Sequence, residues 1–171
     1  MSEENFQKRL GSGMVIFGWI LAIGLLTLYF SNYLDKQNNP NQNLTRTQSG
    51  NTKQVELQRN RYGHYVANGT INNQAVVFIL DTGATDISIP EKIAQRLKLK
   101  AGIKIPVGTA NGEIDVYATR LARVGLGAIE LNDISANINP YFEGEEILLG
   151  MSFLKHLDFS QEGDKLLIRQ P

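Results

Sequence analysis

The chain has 171 residues, 42% of them hydrophobic, with 17 basic and 17 acidic side chains, a formal net charge of zero and no cysteine. Its length fits one modest domain with accessory segments, and the balanced charge gives no indication of a polyanionic partner, so we expect no nucleic acid. Without cysteine the chain cannot form a disulfide framework, a thiolate metal site or a cysteine nucleophile.

An apolar segment follows a short N-terminal tail, residues 1–13. From Met14 to Phe30 the sequence MVIFGWILAIGLLTLYF contains no charge, and with the next residues it approaches the roughly 20 that a helix needs to cross a bilayer. We therefore predict a transmembrane anchor at residues 14–34. A cleaved signal peptide is the alternative, but its apolar region usually has only about 7 to 15 residues and ends at small side chains.

The few charges around this segment predict its orientation. Lys8 and Arg9 precede it, whereas Lys36 and the more distant Arg46 follow it. Positive charge favours the cytoplasmic side of a membrane. We expect a single-pass protein of the bacterial inner membrane, with a short cytoplasmic tail and its C-terminal part in the periplasm.

Residues 35–61 are rich in Asn, Gln, Thr and Ser and offer little to bury. Such a composition cannot offset the entropy of ordering, so it predicts a flexible, protease-sensitive linker. Residues 62–171 are then the segment able to form a core.

Short strand-like runs separated by turns fill this C-terminal part. GHYVANGTINNQAVVFIL predicts a β-hairpin that turns at Asn72-Asn73, and DISIPEKIAQRLKL predicts a short surface helix with Pro90 at its first helical position. Further turn signals occur at Asn111-Gly112, at Gly125 to Gly127 and at Glu162-Gly163-Asp164. This pattern predicts an all-β fold, a small and mostly antiparallel barrel with one short helix.

Common catalytic and cofactor motifs are missing from the sequence. It has no G-x-S-x-G, no H-E-x-x-H and no G-x-x-x-x-G-K-[ST] motif, and its two histidines, His64 and His156, are isolated. We therefore expect no metal ion and no cofactor.

The concentrated chemical signal is Asp81-Thr82-Gly83, which follows the apolar run FIL. Hydrolysis of an amide by water needs one carboxylate to accept a proton from the water and a neighbouring acid to donate one. Thr82 is expected to hydrogen-bond around the loop, and Gly83 lets the backbone approach the acid. Alone, the triplet is equally explained as a turn that closes a hairpin.

Three pieces of the sequence, taken together, resemble the retropepsin-like aspartic proteases, specifically their bacterial membrane-anchored branch. The pieces are GHYVANGTINNQAVVFILDTGATDISIP, GTANGEI and LLGMSFL, in the order that this family has. The resemblance implies a closed barrel of the half-pepsin type, with Asp81 as the catalytic residue and Thr82, Gly83 and Ala84 supporting its loop. Ala84 follows the retroviral type, which implies a working pH nearer neutral.

The resemblance also assigns the segment VGTANGEIDVY as a flap that closes over bound peptide, although an ordinary surface hairpin would give the same pattern. It implies substrate contacts from the flap residues Thr109, Ala110, Asn111 and Gly112. It further implies that Leu149 and Gly150, in the run LLG, support the catalytic loop.

No other aspartate in the chain is followed by Thr-Gly or Ser-Gly. One chain therefore holds half of a catalytic dyad, and a two-fold homodimer would supply the second Asp81. The expected function is that of a membrane-anchored aspartic endopeptidase acting on peptides or unfolded proteins. The alternatives are a non-catalytic, membrane-tethered peptide-binding or scaffold module with the same fold, and a plain structural domain.

Overall fold

The computed structural model of the chain describes residues 3–44, 47–49, 52–109 and 112–171. The chain divides into two compact units, Met1–Gln37 and Asn38–Pro171. The first unit is built from helix α1, which runs from Glu3 to Asn38. Among the described residues, α1 is the one helix long and apolar enough to cross a membrane, with a mean hydropathy of 2.1 over its best window in Gly13–Asn38.

The described residues of the second unit form eleven strands and two short helices. The strands are β1 (Thr47–Ser49), β2 (Thr52–Gln58), β3 (Val66–Ile71), β4 (Gln74–Leu80), β5 (Ile87–Pro90), β6 (Lys104–Thr109), β7 (Gly112–Leu126), β8 (Ile129–Asn139), β9 (Glu146–Leu149), β10 (Asp158–Glu162) and β11 (Lys165–Gln170). The helices are α2 (Glu91–Arg96) and α3 (Met151–Leu154).

Six strands close into a barrel, which confirms the predicted all-β fold class. The strands pair in the order β3-β4-β9-β5-β8-β7, and β3 also pairs with β7, so that the sheet returns to its first strand. Strand β6 is hydrogen-bonded to β7 only and stands outside the ring. Two pairs, β4 with β9 and β5 with β8, are parallel. The strands within each of these pairs are far apart in sequence, as parallel neighbours must be.

The β3–β4 hairpin turns where the sequence predicts it. Asn72 and Asn73 have φ angles of 49° and 68°, in the left-handed region that asparagine tolerates better than most side chains. The pleat then places alternate residues of the hairpin inside the barrel, where Ile71 and Phe78 are fully buried. Helix α2 starts directly after Pro90 and buries Ile93 and Ala94.

The prediction of a flexible linker at residues 35–61 is wrong for strand β2. This strand pairs along its length with β11, within a four-stranded sheet ordered β1-β2-β11-β10. Val55 and Leu57 are 1% and 0% exposed. The two apolar side chains alternate with polar ones, a period-two pattern that suits a strand with one buried face. The prediction failed because it was based on the polar composition of the whole segment, in which this short alternating pattern has little weight.

Asn41 also ties the predicted linker to the barrel. Its buried side-chain amide donates hydrogen bonds to the backbone oxygens of Gln58 and Val66, at 2.8 and 2.7 Å, and its Oδ1 accepts one from the Gln58 N–H at 2.7 Å. These bonds satisfy backbone groups that would otherwise be unpaired at the end of β2. The ordered domain therefore begins well before Tyr62, the predicted boundary.

Candidate active site

The loop that follows β4 holds the carboxylate of Asp81. The Asp81 N–H donates to the Leu149 oxygen at 3.2 Å, which anchors the start of the loop to strand β9. The Gly83 N–H donates to Oδ1 of Asp81 at 2.8 Å, and the Ala84 N–H donates to the Asp81 backbone oxygen at 3.2 Å. The half-buried acid thus follows β4 directly and lies in a hydrogen-bonded turn. Its other carboxylate oxygen makes no hydrogen bond to a described residue.

Gly83 and Thr82 have different positions around this carboxylate. A Cβ atom on Gly83 would lie 3.2 Å from Oδ1 of Asp81, so glycine allows the close approach that the sequence predicts. The Thr82 side chain is exposed and makes no hydrogen bond with the described residues of the chain. Thr82 therefore does not form the expected hydrogen bond within its own loop. The backbone N–H of Gly83 makes the bond to Asp81 instead.

The junction of β9 and α3 supports the loop from the other side. The Met151 and Ser152 N–H groups donate to the backbone oxygens of Ala84 and Thr85, both at 2.8 Å. The buried Ser152 Oγ accepts a hydrogen bond from the Ile87 N–H at 3.0 Å. A Cβ atom on Gly150 would lie 2.6 Å from the Ala84 oxygen and closer still to the Asp86 oxygen. Leu149 and Gly150 thus lie where the sequence predicts loop support.

A cavity of about 720 Å³ lies between this loop and the β6–β7 hairpin. The hairpin occupies the position predicted for the flap, and its apolar side chains Ile105, Val107, Ile114 and Val116 line the cavity. Thr109 also lines it, and its hydroxyl donates to the Gly112 oxygen at 2.7 Å. The predicted flap residues Ala110 and Asn111 lie outside the described residues.

An exposed ion pair joins the two strands of the hairpin. Lys104 Nζ and Asp115 Oδ2 are 2.8 Å apart. The hydrogen bond and the negative charge of Asp115 raise the pKa of Lys104 above its ordinary value. This contact lies in solvent and adds little stability, but it ties β6 to β7 on the face away from the cavity.

Polar residues that the sequence did not single out lie in the cavity wall. Ser88 and Asn137 both line it, and Ser88 Oγ donates to Asn137 Oδ1 at 2.9 Å. Both residues are buried. Their partnership depends on the parallel register of β5 and β8, which no local sequence signal encodes. Ser152 lies in α3 and does not line this cavity; the sequence did not single it out either, although its position two residues after Gly150 could have marked it.

The remaining candidates do not join this site. His64 and His156 are both exposed, and neither lines the cavity that contains Asp81. Within the described ranges, no three side chains from His, Asp and Glu come together in a group able to hold a metal ion.

Comparison with known sequences identifies relatives over the same region. A family model described as "gag-polyprotein putative aspartyl protease" matches residues 67–156, which include the Asp81 loop, the β6–β7 hairpin and the β9–α3 junction. An uncharacterised protein from the cobV 5′ region of a Sinorhizobium species is 29% identical over 127 residues, covering 72% of this chain and 54% of its own length. An uncharacterised protein of Rickettsia prowazekii is 30% identical over 118 residues, covering 67% and 50%. The chain thus spans about half the length of these curated relatives.

Among solved structures, the chain is similar to a retropepsin-like aspartic protease from Rickettsia conorii. The TM-score is 0.56 at 28% sequence identity, with 75% of this chain and 95% of that chain covered. The family match covers more than half of the chain and contains Asp81 with its supporting loop. The chain therefore belongs to the retropepsin-like family of aspartyl proteases.

Proposed function

We propose that the chain is a membrane-anchored aspartic endopeptidase whose catalytic dyad consists of two Asp81 side chains, one from each protomer of a homodimer. The single observation that carries this proposal is the setting of Asp81. Its carboxylate lies in a turn fixed by Gly83 and Leu149, at the wall of a cavity covered by an amphipathic hairpin. A peptide in an extended conformation is the kind of molecule that such a covered groove accepts.

The second acid must come from elsewhere, because the sequence contains one Asp-Thr-Gly triplet. Two-fold symmetry would place an identical carboxylate opposite the first. The exposed side chain of Thr82, which has no hydrogen-bond partner among the described residues, would then be available to the partner's loop.

In such a dyad the two carboxylates lie so close that both cannot ionise, and the pair holds one proton. The ionised member accepts a proton from a water molecule as that water attacks the peptide carbonyl carbon. The protonated member donates its proton to the carbonyl oxygen, and a proton then passes to the leaving amine as the carbon–nitrogen bond breaks. The flap would exclude bulk water during these steps.

Anchoring in the membrane is supported by α1. The side chains of its apolar part, from Met14 to Leu34, are exposed to the surroundings in the described structure, and exposed apolar surface of this extent needs lipid or another partner to cover it. We propose that α1 spans the inner membrane with the barrel on the periplasmic side, as the charges that precede it favour. A cleaved signal sequence is the alternative, although its apolar region usually has only about 7 to 15 residues.

The first test uses the purified full-length chain in detergent micelles, incubated with an unfolded protein substrate. The proposal predicts cleavage that a statine-type transition-state mimic inhibits and that Asp81→Asn abolishes, because an amide cannot exchange the proton that the reaction needs. Asp133→Asn is the matched control, since Asp133 is exposed, lies outside the cavity and has a φ of 56°, which asparagine tolerates.

Thermal unfolding should show that both variants keep the fold. Cleavage by the Asp81→Asn chain would contradict the proposed role of Asp81. Binding of peptides without any cleavage by the wild-type chain would instead support the non-catalytic peptide-binding module.

A further inference from the structure

We propose that Ser88 and Asn137 form a polar subsite in the wall of the active-site cavity. This subsite selects an uncharged hydrogen-bonding side chain, that of Asn, Gln, Ser or Thr, at one position of the bound peptide. The inference rests on the proposed function, because it names the kind of peptide that the same cavity takes.

The register of three neighbouring strands brings the subsite together. Ser88 lies directly opposite Asn137 on the parallel strand β8, and opposite Leu148 on the antiparallel strand β9. All three residues line the cavity. The residues on either side of Ser88, Ile87 and Ile89, are fully buried in the barrel core. The pleat therefore directs Ser88 and Asn137 away from that core and toward the cavity.

The hydrogen bond between the two polar side chains uses only part of their hydrogen-bonding capacity. The Ser88 hydroxyl donates to Asn137 Oδ1 at 2.9 Å, while the side-chain amide nitrogen of Asn137 donates no hydrogen bond to a described residue. Asn137 is only 4% exposed and Ser88 only 8%. The amide nitrogen is not among the fully buried atoms that lack a partner, and Asn137 lines the cavity, so a bound peptide would displace water from this donor. A peptide that supplies an acceptor avoids the cost of leaving the donor buried and unpaired. An apolar peptide side chain would leave this donor unpaired.

Charge next to the subsite limits the acceptors that it takes. Asp86, which lies just before β5 and two residues before Ser88, is half-buried and lines the cavity. It forms no ion pair with any residue in the described part of the chain. Its negative charge opposes a second carboxylate nearby. A cationic side chain carries only hydrogen-bond donors, so it has no acceptor for the amide hydrogens of Asn137. An uncharged side chain with a carbonyl or hydroxyl oxygen fits both neighbours.

The test is a pair of peptide-library profiles on the full-length chain in detergent micelles. The first profile records cleavage by the wild-type chain, and the second records binding to the Asp81→Asn chain, which has no turnover under the proposed mechanism. One peptide position should favour Asn, Gln, Ser or Thr over Val and Leu by about tenfold or more in both profiles. The double variant S88A/N137L should lose this preference at that position and keep the preferences elsewhere.

Asn132→Leu is the matched control, because Asn132 lies exposed on the same strand and does not line the cavity. It should leave both profiles unchanged. If thermal unfolding shows that S88A/N137L does not fold, Asn137→Asp provides the second variant. With a carboxylate in place of the amide donor and Asp86 nearby, the same position should then favour Lys or Arg.

The two profiles separate this inference from the proposed function. A polar preference in binding without any cleavage by the wild-type chain would support the subsite and overturn the peptidase. Cleavage without a polar preference, or with one that S88A/N137L or Asn137→Asp leaves unchanged, would overturn the subsite and leave the peptidase intact. A chain that neither cleaves nor binds the peptides would overturn both.

Discussion

Gly150 shows how closely the loop that carries Asp81 is packed against the β9–α3 junction. The residue has no unusual backbone conformation, with a φ of −89°, so its requirement for glycine comes from space alone. An added Cβ would lie 2.6 Å from the Ala84 oxygen, which belongs to the loop that carries Asp81. No flexible side chain can move aside there, since the neighbouring atoms are backbone.

We predict that Gly150→Ala lowers the free energy of unfolding by about 1–3 kcal/mol, the usual cost of overpacking a well-filled site. It should also reduce peptidase activity by about a hundredfold, because a displaced loop no longer places Asp81 correctly. Urea unfolding and peptide cleavage measure the two effects. Gly108→Ala is the control for stability, since a Cβ there has no atom within 4 Å. Equal stability of the two variants would contradict this account of the loop.

At the scale of single residues, a local sequence signal marks the candidate catalytic triplet but not the polar side chains near it. Asp81 and Gly83 are recognisable because the triplet is contiguous, and its chemistry needs those residue types together. The pairing of Ser88 with Asn137 joins strands that are 49 residues apart. Such a contact depends on the register of a parallel pair, which is settled by the closed barrel rather than by either strand alone.

At the scale of elements, strand β2 changes where the folded domain begins. Val55 and Leu57 fill the core beside β11, and Asn41 ties the preceding segment to the same edge. The sequence prediction failed here because a run of seven residues with two apolar positions is too short to stand out from its polar surroundings. Strand β2 is held in the fold by pairing with a strand more than 100 positions away in the sequence, in which Ile168 lies opposite Val55.

We predict that a chain beginning at Asn38 folds stably and that one beginning at Tyr62 does not. The shorter chain lacks the burial of Val55 and Leu57, worth about 1.5–3 kcal/mol for each side chain, and it exposes the buried face of β11. Urea unfolding followed by circular dichroism should show a free energy of unfolding at least about 3 kcal/mol lower, or no cooperative transition. Similar unfolding curves for both chains would show that β2 is dispensable, as a flexible linker would be.

At the scale of the whole molecule, the proposed peptidase depends on two copies of the chain. Each chain provides one Asp-Thr-Gly loop, and its β6–β7 hairpin forms part of the cavity wall. Under the proposal, anchoring by α1 would confine the chains to a membrane surface and raise their effective concentration. The sequence predicts the need for a second copy of the chain because it contains one Asp-Thr-Gly triplet, whereas the dyad needs two. It does not predict which surfaces meet, because these depend on tertiary structure.

Mixing wild-type chains with Asp81→Asn chains tests the shared dyad most directly. The two full-length forms are solubilised together in detergent so that subunits exchange, and peptide cleavage is measured at constant total protein. If each active site needs two acids, an equal mixture should retain about a quarter of the wild-type activity, because only dimers with two wild-type chains are active. An equal mixture of wild type with Asp133→Asn should keep full activity. Retention of about half the activity with Asp81→Asn would show that each chain works alone, and would contradict a dyad shared between protomers.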